Sequence, residues 1–248
     1  MITIKSKREI DIMREAAKKL QNVLFELKDM VRPGVKASEI DEKAEKLIRA
    51  QGAKPAFKGY RDYPATICIS INEQVVHGIP SDRKIKDGDL VSLDLGLIWK
   101  DYYSDSARTW AAGKADEKSR KLIDVAKGSM EAGIDQMKVG NRIGDIAAAV
   151  QKHIESNGFS VVRDFVGHGI GRALHEDPQV PNFGTAGRGQ KLEAGMVLAI
   201  EPMVNMGGWQ VDILEDGWTV VTRDRKRSAH YEDTIALTED GPENLTGG

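Results

Sequence analysis

"RPGVKASEIDEKAEKLIRAQG", residues 32–52, and "VGNRIGDIAAAVQKHIESNG", residues 139–158, decide the fold, because they are one pattern written twice. A shift of 106 positions puts Gly34, Ile40, Ile48 and Gly52 on Gly140, Ile146, Ile154 and Gly158. Each copy places apolar residues at helical spacing between a glycine that opens the segment and a glycine that closes it. The element before each copy is also a helix. Ser6-Lys7-Arg8-Glu9 reads as a capping box, Ile10, Met13, Ala17, Leu20, Leu24 and Leu27 follow at helical spacing, and Pro33-Gly34 ends the run. A helix over about Glu117 to Met137 holds the same place in the second half, and the first of the duplicated helices starts near Ser38.

The strands repeat as well. In "DGDLVSLD" Asp94 follows Gly88 by six positions, and in "AGMVLAIE" Glu201 follows Gly195 by six. Each half therefore ends an apolar strand on a carboxylate. The expected architecture is α+β: one domain over 1–248, with similar halves roughly 1–110 and 111–248. Helices cover one face of a curved antiparallel sheet, and the carboxylates converge between the halves. No Ser/Pro-rich linker divides the chain.

Composition narrows the function. With 248 residues, the chain is long enough for a substantial core. A net charge of −2 provides no basic field for nucleic acid. Cys68 is the one cysteine, so no intrachain disulfide forms and a reducing compartment is expected. The start "MITIKSKREI" lacks the apolar core of a signal peptide, and no window is apolar enough to span a membrane. The expected setting is the cytosol.

The carboxylates carry the chemistry. In "LVSLDLGLIWKDYYSDSARTW", residues 90–110, Val91, Leu93, Leu95 and Leu97 alternate with Ser92, Asp94, Gly96 and Ile98, the period of a strand. A turn over Trp99 to Asp101 returns the chain through Tyr103, Asp105, Ala107 and Thr109. A hairpin folded about 99–100 sets Asp94 opposite Asp105; a loop one step later makes them diagonal neighbours on one face. In either register two aspartates meet in a sheet, which requires a cation between them or a proton on one. Glu201 closes the buried-looking strand of "MVLAIEPM". Glu232, in "SAHYEDTIALT", lies in an alternating strand with His230 and Thr234 on its face. Burying an unpaired carboxylate costs several kcal/mol.

"VGHGIGRALHEDP", residues 166–178, supplies nitrogen. With His168 the set becomes Asp94, Asp105, His168, Glu201 and Glu232. This mostly hard donor set suits divalent manganese, iron, cobalt or zinc, and two such ions would neutralise the four negative charges. Two-metal sites activate water for hydrolysis. The glycines disfavour a helix and miss the dinucleotide fingerprint. Cys68 reads as a small buried hydrophobe, and His153 as a surface residue on its helix.

Taken in order, "NEQVVHGIP", "LDLG", "SDSA", "GHGIGRALHEDP", "AIEPM", "DGWTV" and "YEDT" resemble the type I methionine aminopeptidases of the pita-bread metallopeptidase family. The resemblance covers nearly the whole chain and implies a cytoplasmic hydrolase that uses a dinuclear metal centre to remove the first methionine from nascent chains, preferring a small second residue. By motif, Asp94 would chelate one metal, Asp105 and Glu232 would bridge both, and His168 and Glu201 would hold the second. Glu201 would also shuttle a proton from water to the leaving amine. His77 would face the scissile amide, and His175 would stabilise the oxygen of the tetrahedral intermediate. Phe57, Tyr60, Tyr63, Cys68, Leu174 and Trp218 fall on the methionine pocket, an apolar and sulfur-tolerant setting.

The chain departs from the family at Asp233, where histidine is frequent, and at Leu174, where an aromatic is frequent. Asp233 is expected either to tune the metals or to face solvent, because it points away from Glu232. His230 shares a face with Glu232 and is a candidate to support the metal ligands from behind. The chain has no cysteine/histidine zinc extension and no long insertion between His175 and Glu232, as in the short bacterial form. The family default is a monomer, with the ribosome as a transient neighbour. Two alternatives are a proline-specific aminopeptidase or prolidase of the same fold, and a non-catalytic pita-bread binding protein. Prolidases usually carry an N-terminal domain, for which there is no room before Ser6; non-catalytic relatives have lost metal ligands that are all present here.

Overall fold

A computed structural model describes residues 2–247. Among the described residues there are four α-helices: α1 (Lys7–Lys28), α2 (Ala37–Ala50), α3 (Glu117–Ile134) and α4 (Ile143–Ser156). At α1, Glu9 N donates to the Ser6 hydroxyl and Ser6 N donates to the Glu9 carboxylate, closing the capping box. α3 ends three residues before the expected Met137. Its last amides turn to nearer carbonyls, Gln136 N to Gly133 O and Met137 N to Ile134 O, which tightens the terminal turn.

The duplication is written into the backbone. Gly34 and Gly140 have φ of 93° and 95°, a left-handed conformation that is cheap only without a Cβ. Gly34 N donates to Ile85 O and Ile85 N to Val35 O; in the second half Gly140 N donates to Leu192 O and Leu192 N to Asn141 O. α2 and α4 open alike, with an acid reaching back from the first turn: Lys36 N donates to Glu39 and Arg142 N to Asp145, each at 2.8 Å. The Glu39 contact caps α2 at Lys36, so the helix begins at Ala37, one residue ahead of Ser38.

All named strand pairs are antiparallel. In the first half Leu90–Trp99 pairs with Ile67–Ile71, Lys54–Pro55 and Tyr102–Ala111. In the second half the order is Gly241–Asn244, Asp233–Thr238, Val197–Ile200, Gly167–Gly169, Glu176–Val180. The helices cover one face of each sheet. Leu20, Leu24, Ile40 and Ile48 pack on Val91, Leu93, Leu95 and Leu97, and Leu122, Val125, Ile146 and Val150 pack on Leu198, Ile200, Ile235 and Leu237. Each fully buried aliphatic side chain contributes about 1.5–3 kcal/mol. The period of two then sends Ser92, Asp94 and Gly96 to the opposite face.

Two expectations are refined. The hairpin turns on Lys100 and Asp101, with φ of 49° and 66°, as a tight two-residue turn requires. Asp94 therefore pairs with Ala107 and Asp105 with Gly96, so the aspartates are diagonal neighbours rather than opposite each other. The alternating strand through Glu232 is broken. Ser228–His230 pairs with Met203–Asn205, and Asp233–Thr238 pairs with Val197–Ile200. Pro202, which has no N–H to give, interrupts the facing chain at the same level. Glu232 instead exchanges both backbone hydrogen bonds with Ala107, at 3.2 and 3.0 Å, and so ties one half to the other. Among the described residues no helix is long and apolar enough to cross a membrane.

Candidate metal centre

The carboxylates meet where the halves join. Asp94 and Asp105 project from adjacent strands of the first sheet, and Glu232 is held against Ala107, the residue that pairs with Asp94 on its other side. Thr234 Oγ1 donates to the Asp105 carbonyl at 2.8 Å and fixes that strand to the second half. Glu201 follows the strand Val197–Ile200, its carbonyl held by the Asn182 side-chain amide at 3.1 Å. His168 lies in the neighbouring strand, opposite Ala199. Its Nδ1–H donates to Gly169 O at 2.8 Å, which leaves the Nε2 lone pair facing Glu201 Oε1 at 3.5 Å.

These side chains fit a cation site. One oxygen each of Asp94, Asp105 and Glu232 is buried without a hydrogen-bond partner. Ligand atoms of Asp105, His168 and Glu232 all lie within 4.8 Å of one another. Burial pushes the Asp94 carboxyl up to about 7. Burial, and then the neighbouring carboxylates, hold Asp105, Glu201 and Glu232 well above the usual range. Burial likewise lowers His168 to about 3, so its ring is neutral and able to ligate. A group of buried carboxylates with unpaired oxygens beside a neutral imidazole is an electrostatic arrangement that divalent cations relieve.

All five of these residues line one cavity of about 270 Å³ with His77 and His175. His77 has φ of 58°, left-handed for a non-glycine residue, and its ring stands edge-on to Phe165 and Trp218. Burial lowers it to about 4. The His175 ring centroid is 4.3 Å from that of His168. The cavity also contains Phe57, Tyr60, Tyr63, Cys68, Leu174 and Trp218. Gly96 makes room for Phe57: a Cβ there would come within 2.6 Å of its ring. The Tyr63 hydroxyl is spent on the carbonyls of Ile67 and Gly78, so the tyrosine presents an apolar wall. Cys68 is paired with Asp94 in register, and burial raises its thiol well above the ordinary value, so it stays neutral.

The structure adds Arg61 and Phe165 to the lining. Neither has a periodic or motif signal in the sequence; Arg61 lies in the single 3-10 turn Tyr60–Asp62 and Phe165 in a loop. Asn182, behind Glu201, is equally silent. His230 is buried with both ring nitrogens unpartnered, and its Nε2 is 3.8 Å from Glu201 Oε2, so it does border the centre. Asp233 does not face solvent. It is 1 % exposed and pairs with Arg108 at 2.6 Å, and it accepts hydrogen bonds from Thr246 and Asn244. It turns away from Glu232 as expected, but that side is covered. His153 is half-buried, packed against Gly128 of α3 rather than fully at the surface.

Residues 11–239 match metallopeptidase family M24. The chain is 55 % identical over 246 residues to a methionine aminopeptidase of Clostridium perfringens, covering 99 % of each. It superposes on the crystal structure of methionine aminopeptidase from Thermotoga maritima with a TM-score of 0.98 and 46 % identity, covering 100 % of both. It also resembles the prolidase from Pyrococcus horikoshii, with a TM-score of 0.80 and 27 % identity, but covers 63 % of that chain.

Proposed function

The chain belongs to metallopeptidase family M24, and from that premise we propose that it removes the amino-terminal methionine from peptides and nascent proteins by metal-dependent hydrolysis of the first peptide bond. The full-length likeness to methionine aminopeptidases carries this reading over the prolidase one. The retained ligand set argues against a non-catalytic binding protein. The whole of 1–248 would work as one catalytic domain with halves at roughly 1–110 and 111–248.

Use of divalent metal follows from the family; the number of ions and the residue roles are ours. Two ions among cobalt, manganese, iron and zinc would match the four carboxylates and one imidazole, and would be held by Asp94, Asp105, His168, Glu201 and Glu232. Bound there, they would supply Lewis-acid activation of water and of the scissile carbonyl. The protein supplies the rest. Glu201 takes a proton from the attacking water at its carboxylate and passes it to the departing amine. His175 donates to the carbonyl oxygen as negative charge develops on it, and His77 contacts the scissile amide. Phe57, Tyr60, Tyr63, Cys68, Leu174 and Trp218 exclude water and take the methionine side chain. The crowding of His77 by Phe165 and Trp218 supports a small second residue. We place the enzyme in the cytoplasm as a monomer that meets its substrates near the ribosome, without nucleic acid or membrane as a partner.

Chelated and metal-restored protein should be tested on Met-Ala-Ser and Met-Lys-Ser, with products identified by mass. We expect metal-dependent release of methionine from the first and little from the second. Release of residues preceding proline, with methionine left in place, would overturn the reading.

A further inference from the structure

His168 and His175 have ring centroids 4.3 Å apart, yet opposite kinds of partner hold them. At His168, Nδ1 faces the Gly169 carbonyl at 2.8 Å. A carbonyl only accepts, so the proton sits on Nδ1 and Nε2 offers a lone pair. At His175, Nδ1 faces the Tyr60 hydroxyl, also at 2.8 Å. A phenol is a good donor and a poor acceptor, and a neutral imidazole offers it a lone pair. The Tyr60 hydroxyl has no other partner among the described residues, and neither does His175 Nε2.

We propose that Tyr60 is a positioning residue. Its hydroxyl donates to Nδ1 of His175, which places the ring proton on Nε2, where His175 donates to the substrate carbonyl oxygen as the scissile carbon becomes tetrahedral. The proposal rests on the function assigned above and gives Tyr60 a task beyond walling the methionine pocket.

The surroundings hold both partners in place. Tyr60 is presented by a loop closed on itself: Gly59 N donates to Tyr63 O, Tyr60 N to Phe57 O, and Tyr63 N to Tyr60 O. Arg61 and Asp62 have φ of 47° and 69°, left-handed conformations that for non-glycine residues persist only where the surroundings over-determine them. On the other side, Glu176 accepts from Ala173 N at 3.2 Å and pairs with the buried Lys5 ammonium at 2.6 Å, which pins the segment carrying His175. The rings of Tyr60 and His175 are 5.3 Å apart and tilted by 37°, so the hydroxyl makes the directed contact. The same imidazole type thus serves as an acceptor at His168 and a donor at His175, and the group on Nδ1 decides which.

The test uses protein labelled with ¹⁵N in histidine and loaded with zinc, which is diamagnetic, together with its Tyr60→Phe variant. We expect a pyrrole-type Nε2 signal for His175 in the wild type and a mixture of both tautomers in the variant. With Met-Ala-Ser, we expect kcat to fall about fivefold and KM to stay within about twofold, the scale of one neutral hydrogen bond felt in the transition state. Unchanged His168 signals report an intact fold. The proposal is overturned if the wild-type proton lies on Nδ1 of His175, if Tyr60→Phe leaves kcat unchanged, if only KM moves, or if kcat falls with the tautomer unchanged. Should the variant fail to fold, the wild-type spectrum decides. A wild type that releases no methionine defeats the functional reading, whereas the tautomer tests the Tyr60 contact separately.

Discussion

In the first half the strand that carries Asp94 stays paired along Leu90–Trp99, whereas in the second half the strand that leads to Glu201 ends at Ile200 and a new one begins at Met203. The regular half contributes Asp94 and Asp105 from two neighbouring strands. The interrupted half contributes Glu201 and Glu232, each beside the break at Pro202 and Tyr231. The ladder given up there is replaced by the exchange between Glu232 and Ala107, which crosses from one half to the other. The centre therefore sits where one sheet surrenders its regularity to bind its counterpart. Its negative charge is assembled from both copies of a duplicated plan.

If the halves contribute equally, removing a carboxylate from either should have the same effect. Asp105→Asn and Glu232→Gln are each expected to lose bound metal and to reduce methionine release to background, measured by elemental analysis and by turnover of Met-Ala-Ser. A fully active variant from one half would show that the other suffices.

The next effect is on stability. In the metal-free protein the folded-state affinities of Asp94, Asp105, Glu201 and Glu232 for protons are raised, with Asp94 at about 7 against an ordinary 3.8. Their contribution to stability is fully present below about pH 4 and is lost as pH rises through 7 and beyond, at about 1.4 kcal/mol per pH unit for each carboxyl that folding keeps protonated. Bound cations remove that loss. The gap in urea midpoint between loaded and chelated protein should widen from pH 5.5 to pH 8. A constant or narrowing gap would mean that the carboxylates are not crowded in the absence of metal.

A smaller effect sharpens the comparison from behind. Arg108 Nη1 donates to the Glu232 carbonyl, and its Nη2 pairs with Asp233. Arg108→Met leaves the Asp233 carboxylate buried and unpaired, at a cost of about 3–5 kcal/mol in unfolding free energy by denaturant titration. A change below about 1 kcal/mol, the scale of an exposed pair, would mean that this one does not support the seam between halves.

Much of the centre is legible in the sequence, for reasons that particular residues make clear. Asp94 shows because a carboxylate inside an alternating apolar strand has no surface explanation, and Glu201 because it ends a buried run. The register of the aspartates stays open at that level, since one step in a turn decides it; the left-handed pair Lys100-Asp101 chooses. The strand through Glu232 reads as continuous because its alternation is intact, and the break lies opposite Pro202, in the link between two other strands. The surroundings of Asp233 are hidden because its partner Arg108 lies 125 residues away. Tyr60 and His175 meet across 115 residues, so the motif can suggest His175 but not the hydroxyl that orients it.

On the function proposed above, one short segment, 168–175, serves metal at one end and substrate at the other. The direct test is calorimetric titration of chelated wild type, His168→Ala and His175→Ala with a divalent metal, alongside turnover. We expect His168→Ala to lose metal binding, and His175→Ala to bind as the wild type does and to lose about 10²–10³-fold in kcat, as removal of a donor to a developing oxyanion does. Equal loss of metal in both variants, or wild-type turnover in His175→Ala, would contradict it.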